Sequence, residues 1–176
     1  MFKESDMLRP FIETNRELNV REHARLQGIT PATSSKYLRQ FHKQGILSYR
    51  NERNLLLYSP AESPQFRSLK TSWNMARIRE AGLVQFLVRE LREPLAVFLF
   101  GSFAKGENTS ESDIDIFVLT ATKRSVDVSL YEKQLRTTIQ LVVCTPDDIV
   151  KLRKTNPHLL NNIVNGIRLH GFWEVF

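Results

Sequence analysis

Apolar residues along this chain change their spacing near residue 94. Before that point they recur at helical intervals. Val20, Ala24 and the Leu26/Gln27 pair lead up to Gly28, and Tyr37, Leu38 and Phe41 stripe the segment PATSSKYLRQFHKQG that ends at Gly45. Gly28 can take the left-handed conformation that closes a helix, and Thr30-Pro31 supplies an N-cap followed by a first-turn proline, so a second helix starts there. Two short apolar runs, ILSYR and NLLLYS, separated by NER, then predict a hairpin. Ser63 before Pro64 marks a fresh helix start, and Phe66, Leu69, Trp73, Leu83, Phe86, Leu87 and Leu91 keep helical intervals to about Arg92, with Gly82 as a break or bend. Beyond that, LAVFLFG (95–101), DIDIFVLT (113–120) and TIQLVVCT read as strands, with a helical patch near VSLYEKQL and a closing segment NPHLLNNIVNGIRLHG.

The order helix, tight turn, helix, hairpin over residues 17–60 resembles a winged helix-turn-helix, with Ala24 at a small-residue position and Gly28 at the turn. Ser34 departs from the pattern, standing where most such helices place Val or Ile, and this predicts looser packing behind the second helix. The resemblance implies that the second helix enters the major groove of double-stranded DNA while the wing flanks the backbone. Thr33, Ser35, Lys36 and Arg39 lie on the polar face for that, with Lys43, Arg50 and Arg53 as further phosphate contacts. Charge agrees with this placement. Residues 1–60 carry ten Lys and Arg against six Asp and Glu, whereas residues 95–176 carry nine of each, so the basic surplus lies in the first part of the chain.

The stretch FGSFAKGENTSESDIDIF (100–117) carries the candidate chemistry. Strand alternation puts Asp113 and Asp115 on one face, and two like charges that close repel unless water or a cation offsets the cost. Oxygen-only ligands favour Mg²⁺ or Mn²⁺. Gly101-Ser102 follows the preceding strand, where a backbone without side chain admits phosphate oxygens and the hydroxyl adds a donor. Gly101 and Gly106 have the spacing of a Walker-type loop, but Glu107 and Asn108 occupy the places of its Lys and Ser/Thr, which excludes that reading.

Phe100-Gly101-Ser102, ten residues, then Asp113-Ile114-Asp115-Ile116 resembles the signature of the nucleotidyltransferase superfamily that includes polymerase beta, above all its small prokaryotic members. The likeness covers about residues 83–170. It implies an α+β chain in which the winged helix-turn-helix is followed by a mixed β-sheet backed by helices, divided as 1–60, a helical linker or dimer seam over 61–80, and a nucleotidyltransferase-like domain over 81–176. It further implies catalytic and metal-binding roles for Asp113 and Asp115, nucleotide phosphates on Gly101 and Ser102, Mg²⁺ or Mn²⁺ as cofactor, and a nucleoside triphosphate substrate. The family usually has a third carboxylate on the next strand, and here that place falls on Gln140, an amide that cannot act as a base at neutral pH. Three readings stay open: transfer with two carboxylates, recruitment of Asp127, Asp147 or Asp148, or nucleotide binding without catalysis. Asp147 and Asp148 follow Thr145-Pro146 and suit the first turn of a helix. Family analogy adds a homodimer or a helical toxin-like protein as partner, and a transcriptional regulator or antitoxin-like protein as the non-catalytic alternative.

The four histidines have no metal-ligand spacing and read as surface or packing residues, and Trp73 and Trp173 as core or interface anchors. Cys144 is the only cysteine, which excludes an internal disulfide and a multi-cysteine zinc cluster. Apolar runs such as LAVFLF are too short to span a bilayer, and the N-terminus lacks an apolar signal core, so no membrane association and a cytoplasmic location are expected.

Overall fold

The computed structural model describes residues 4–121 and 123–174. Its contacts divide into two units, Met1–Lys70 and Thr71–Phe176.

The first unit begins with a 3-10 turn, Glu4–Leu8, and the short helix α1 (Arg9–Thr14), neither of which the apolar spacing foretold. Strand β1 (Leu18–Asn19) follows, then α2 (Val20–Gln27) and α3 (Pro31–Lys43). Asn19 Oδ1 accepts from Glu22 N at 3.0 Å to start α2, and Gly28 at φ +63° ends it. Thr30 Oγ1 accepts from Thr33 N at 3.2 Å to start α3. Strands β2 (Leu47–Glu52) and β3 (Leu55–Pro60) form the hairpin, and the antiparallel sheet order is β1-β3-β2. Its loop is Arg53-Asn54 alone, both with positive φ (+49° and +65°), which is the two-residue turn that matches strand twist. The first strand is therefore longer, and the loop shorter, than the NER spacing predicts.

The buried apolar residues of this unit include Met7, Phe11, Leu18, Leu38, Phe41, Leu47 and Tyr58. Of the residues read as the α2 stripe, Ala24 is buried as expected whereas Leu26 is 55% exposed, and His23 faces inward in addition. The looser packing expected behind Ser34 is replaced by a polar lock. Ser34 and His23 are both fully buried, His23 Nδ1 lies 2.9 Å from Ser34 Oγ, and Ser34 Oγ donates to Val20 O at 3.0 Å. The other ring nitrogen, Nε2, meets Met7 O at 2.8 Å, so both nitrogens of the buried imidazole have partners.

Helix α4 (Pro64–Ala81) starts on Ser63, whose Oγ accepts from Phe66 N at 3.2 Å. It ends at Gly82, φ +78°, and α5 (Leu83–Glu90) begins there, so the glycine separates two helices. The second unit continues with β4 (Ala96–Phe100), α6 (Gly101–Lys105), β5 (Ile114–Leu119), α7 (Ser129–Leu135), β6 (Ile139–Cys144), α8 (Pro146–Thr155), α9 (Pro157–Val164) and β7 (Ile167–Gly171). The sheet is mixed, as the family resemblance implies: its order is β6-β5-β4-β7, with β5 and β6 parallel and the other pairs antiparallel.

Period-two alternation sorts β5 between two cores. Ile114, Ile116 and Val118 pack with Ile78, Leu83, Leu87 and Leu135 on one face. Phe117 and Leu119 pack with Ile149, Leu160 and Ile163 on the other, where Trp173 stacks on Phe117 at 5.4 Å. Asp115 shares the parity of this second face, at the end where β5 begins.

Candidate active site

Three strands bring the candidate residues together. Phe100, the last residue of β4, is the register partner of Asp115, and Asp115 is in turn the partner of Gln140 on β6. Residues in register on neighbouring strands point to the same face, so Gln140 stands beside Asp115. Its Nε2 donates to Asp113 Oδ2 at 2.7 Å, which places Asp113, just before β5, on that face too. Gly101 turns the chain directly over Asp115. Its φ is +68°, and a Cβ built there would overlap Asp115 Oδ2. Glycine is thus required twice at this position, for backbone conformation and for the room it leaves. Ser102 follows on the first turn of α6 and is half-buried.

Electrostatics follow from this crowding. Burial first, and the neighbouring Asp113 second, raise the Asp115 carboxyl above the ordinary aspartate value. Such a pair is held together at the expense of its own repulsion, and a divalent cation removes it. The donor set fits Mg²⁺, which is commonly held by one or two carboxylates with phosphate oxygens and water completing its shell. Among the described residues no group of three or more His, Cys, Asp and Glu is placed to hold a metal ion.

Asp148 and Asp127 are engaged elsewhere. Asp148 closes a capping box with Thr145 and lies 3.3 Å from Lys123, contacts that lower its carboxyl to about 2, and Asp127 Oδ1 accepts from Ser129 N at 2.9 Å. Lys105, in the last turn of α6, is exposed. An open depression of about 490 Å³ adjoins Asp113, lined among others by Ser110, Ser112, Lys133 and Arg136.

Sequence reasoning missed what holds the connecting loop. Asn74 on α4 donates from Nδ2 to Phe103 O at 3.0 Å and to Asn108 Oδ1 at 2.8 Å, all buried, and Thr71 Oγ1 donates to Ala104 O at 3.3 Å. Asn108, considered above only as a misfit in a phosphate loop, pins the start of the segment that leads to Asp113. Buried amides at these two positions were visible in the sequence, but nothing in their spacing paired them.

A family model described as polymerase beta, nucleotidyltransferase matches residues 83–171, half of the chain. The chain belongs to the polymerase beta nucleotidyltransferase family. Nucleotidyl transfer is the reaction class of this family, whose members generally use divalent metal ions. No curated protein matches the chain. Among solved structures, Sso10a-2, a DNA-binding protein from Sulfolobus solfataricus, is similar over 52% of this chain and 96% of its own, with 22% identity and a TM-score of 0.37. A mutant of the toxin–antitoxin pair MntA–HpeT is similar over 52% of this chain and 73% of its own, with 24% identity and a TM-score of 0.38. Neither likeness is strong enough to carry an argument.

The polymerase beta segment excludes the first unit, whose candidate residues lie on α3 and the hairpin. Ser35, Lys36, Arg39 and Lys43 line a shallow groove of about 470 Å³ along α3 together with Ala32 and Gln40, a single stripe at helical spacing. Thr33 sits at the helix start, its Oγ1 2.9 Å from Thr30 Oγ1. Arg50 is paired inside the unit, with Glu17 Oε2 at 2.7 Å and Glu52 Oε2 at 2.8 Å, and Arg53 occupies the hairpin tip. The groove along α3 therefore brings together four of the seven residues, with Thr33 at the start of the same helix, while Arg50 already has two carboxylates. No helix among the described residues is long and apolar enough to cross a membrane.

Proposed function

We propose that this chain is a Mg²⁺-dependent nucleotidyltransferase that moves a nucleoside monophosphate from a nucleoside triphosphate to an acceptor, joined to a DNA-binding winged helix. The observation that carries the enzymatic part is the convergence of Gly101, Asp113 and Asp115 on one sheet face inside the segment that matches the family. Asp113 and Asp115 hold the ion, and Gly101 and Ser102 receive the beta and gamma phosphates. When bound, the ion offsets the charge of the triphosphate as the acceptor oxygen bonds to the alpha phosphorus and the electron pair of the broken bond leaves with pyrophosphate. Gln140, whose Nε2 donates to Asp113, accepts no proton at neutral pH, so in this reading the acceptor oxygen loses its proton to water or arrives ionised.

Winged-helix binding is supported by the order α2, turn, α3, hairpin and by the stripe Ser35, Lys36, Arg39, Lys43. A duplex is the partner that suits a basic helix face of this kind. Homodimers, which commonly bind paired half-sites, and a cytoplasmic setting accord with that role.

The position of Gln140 favours a second reading, a transcriptional regulator or antitoxin-like protein, paired with a helical toxin-like partner, that binds nucleotide without turnover. Incubation with alpha-labelled ATP, Mg²⁺ and a panel of nucleic acid and protein acceptors decides between them. Label on an acceptor, lost in Asp113→Asn, supports the enzyme. Absence of label from the wild type and from Gln140→Asp, with nucleotide still bound, supports the second reading.

A further inference from the structure

Gln140 does more than leave out a carboxylate. Its amide nitrogen lies 2.7 Å from Asp113 Oδ2, the distance of a charge-assisted hydrogen bond, so one oxygen of the pair is already occupied by a proton donor. The orientation of the amide is fixed by chemistry: turned over, it would set a carbonyl oxygen against a carboxylate, a contact with no hydrogen to share. Gly101 approaches Asp115 Oδ2 so closely that no side chain fits between them. One oxygen of each carboxylate is thus already approached, Asp113 Oδ2 by an N–H donor and Asp115 Oδ2 by backbone. Sites that hold two divalent ions set them about 4 Å apart and need bridging and terminal oxygens for both. Among the described residues no third acidic, His or Cys ligand joins this pair.

We propose that Gln140 restricts the site to a single divalent ion, held by Asp113 and Asp115 together with the triphosphate. The inference rests on the assignment of these aspartates as metal ligands. It goes beyond that assignment because it fixes the ion count and names the residue that sets it. Gln140 is a positioning residue here: its amide orients Asp113 toward the shared ion and supplies no anionic oxygen for a second ion at that edge. It is exposed, so its replacement leaves both cores intact.

The test counts ions directly. Mn²⁺ is titrated into the full-length protein with saturating alpha,beta-methylene ATP, and free Mn²⁺ is read by electron paramagnetic resonance. The nucleotide's own Mn²⁺ binding is subtracted using a protein-free control, and circular dichroism checks each variant. Expected are one Mn²⁺ per chain for the wild type, one for Gln140→Ala, and two for Gln140→Asp. Two ions in the wild type, or one in a folded Gln140→Asp, would overturn the assignment to Gln140 while leaving the nucleotide site in place. No protein-bound Mn²⁺ in any variant would remove the metal assignment itself, and this inference with it.

Discussion

Replacing Gly101 by alanine separates backbone strain from damage to the site, because the second unit holds its own control. Gly101 and Gly82 both have left-handed backbones, with φ +68° and +78°. A Cβ at Gly82 meets nothing within 4 Å, whereas at Gly101 it overlaps Asp115 Oδ2. Each substitution therefore carries the left-handed penalty of about 1–2 kcal/mol, which for a unit of this size lowers Tm by roughly 4–16 °C. Only Gly101→Ala must also displace the Asp115 carboxylate. Losing a charge-assisted ligand contact is worth about 1.5–3 kcal/mol, so nucleotide–Mn²⁺ affinity should fall roughly 10- to 150-fold in Gly101→Ala and stay within about twofold of wild type in Gly82→Ala. Thermal unfolding followed by circular dichroism gives the first quantity, and isothermal titration with a non-hydrolysable ATP analogue and Mn²⁺ gives the second. Equal affinity in the two variants would refute the close approach of Gly101 to Asp115 as a functional feature.

Other consequences follow from the same contacts. The raised carboxyl of Asp115 means that the folded state holds its proton more tightly than the unfolded chain, so ionisation of this group disfavours folding as pH rises through its folded-state value. Asp115→Asn should therefore raise the metal-free Tm at pH 7 while abolishing Mn²⁺ binding. Wild-type Mn²⁺ affinity, measured over a pH series, should begin to fall on acidification above the usual aspartate range of about 4. In the first unit, Ser34→Ala removes the partner of the buried His23 Nδ1 and should cost about 1–3 kcal/mol, with part of the loss recovered in the His23→Leu/Ser34→Ala double variant, measured by urea unfolding. Burial lowers the pKa of His23, so the unfolded chain binds more protons near the ordinary histidine value of about 6.5 and stability should drop as pH falls through it. Reversing Lys36 and Arg39 to Glu should weaken salt-dependent DNA binding in a gel shift by at least about tenfold, whereas Arg50→Ala should change it little because Glu17 and Glu52 already neutralise that guanidinium.

Features set by spacing within one element were legible in the sequence. The two-residue period of β5 put Asp113 and Asp115 on one face, and Gly82, Gly28 and the Thr30-Pro31 and Thr145-Pro146 pairs marked helix limits that the structure has. Resemblance supplied the family, and the strand order puts Gln140 beside Asp115. Contacts between distant segments were not legible, since many polar residues could have met and nothing local chose among them. Asn74 reaches Asn108 across 34 positions and Arg50 reaches Glu17 across 33. Ser34 shows the same limit: its helical position said that it faces the core, but only the fold could say that His23 is there to meet it. The hairpin loop was misjudged because Asn51 and Glu52 read as turn residues until the positive φ values at Arg53 and Asn54 assign the turn to those two alone.

Everything proposed for the second unit depends on Asp113 and Asp115 forming, with Gly101, a seat for a cation and a triphosphate. Equilibrium dialysis of labelled ATP against the wild type and against Asp113→Asn/Asp115→Asn, with Mg²⁺ and with EDTA, tests this directly. The expected result is saturable binding of one nucleotide per chain that requires Mg²⁺ and is lost in the double variant. Binding that persists in the double variant, or that EDTA leaves unchanged, would contradict it.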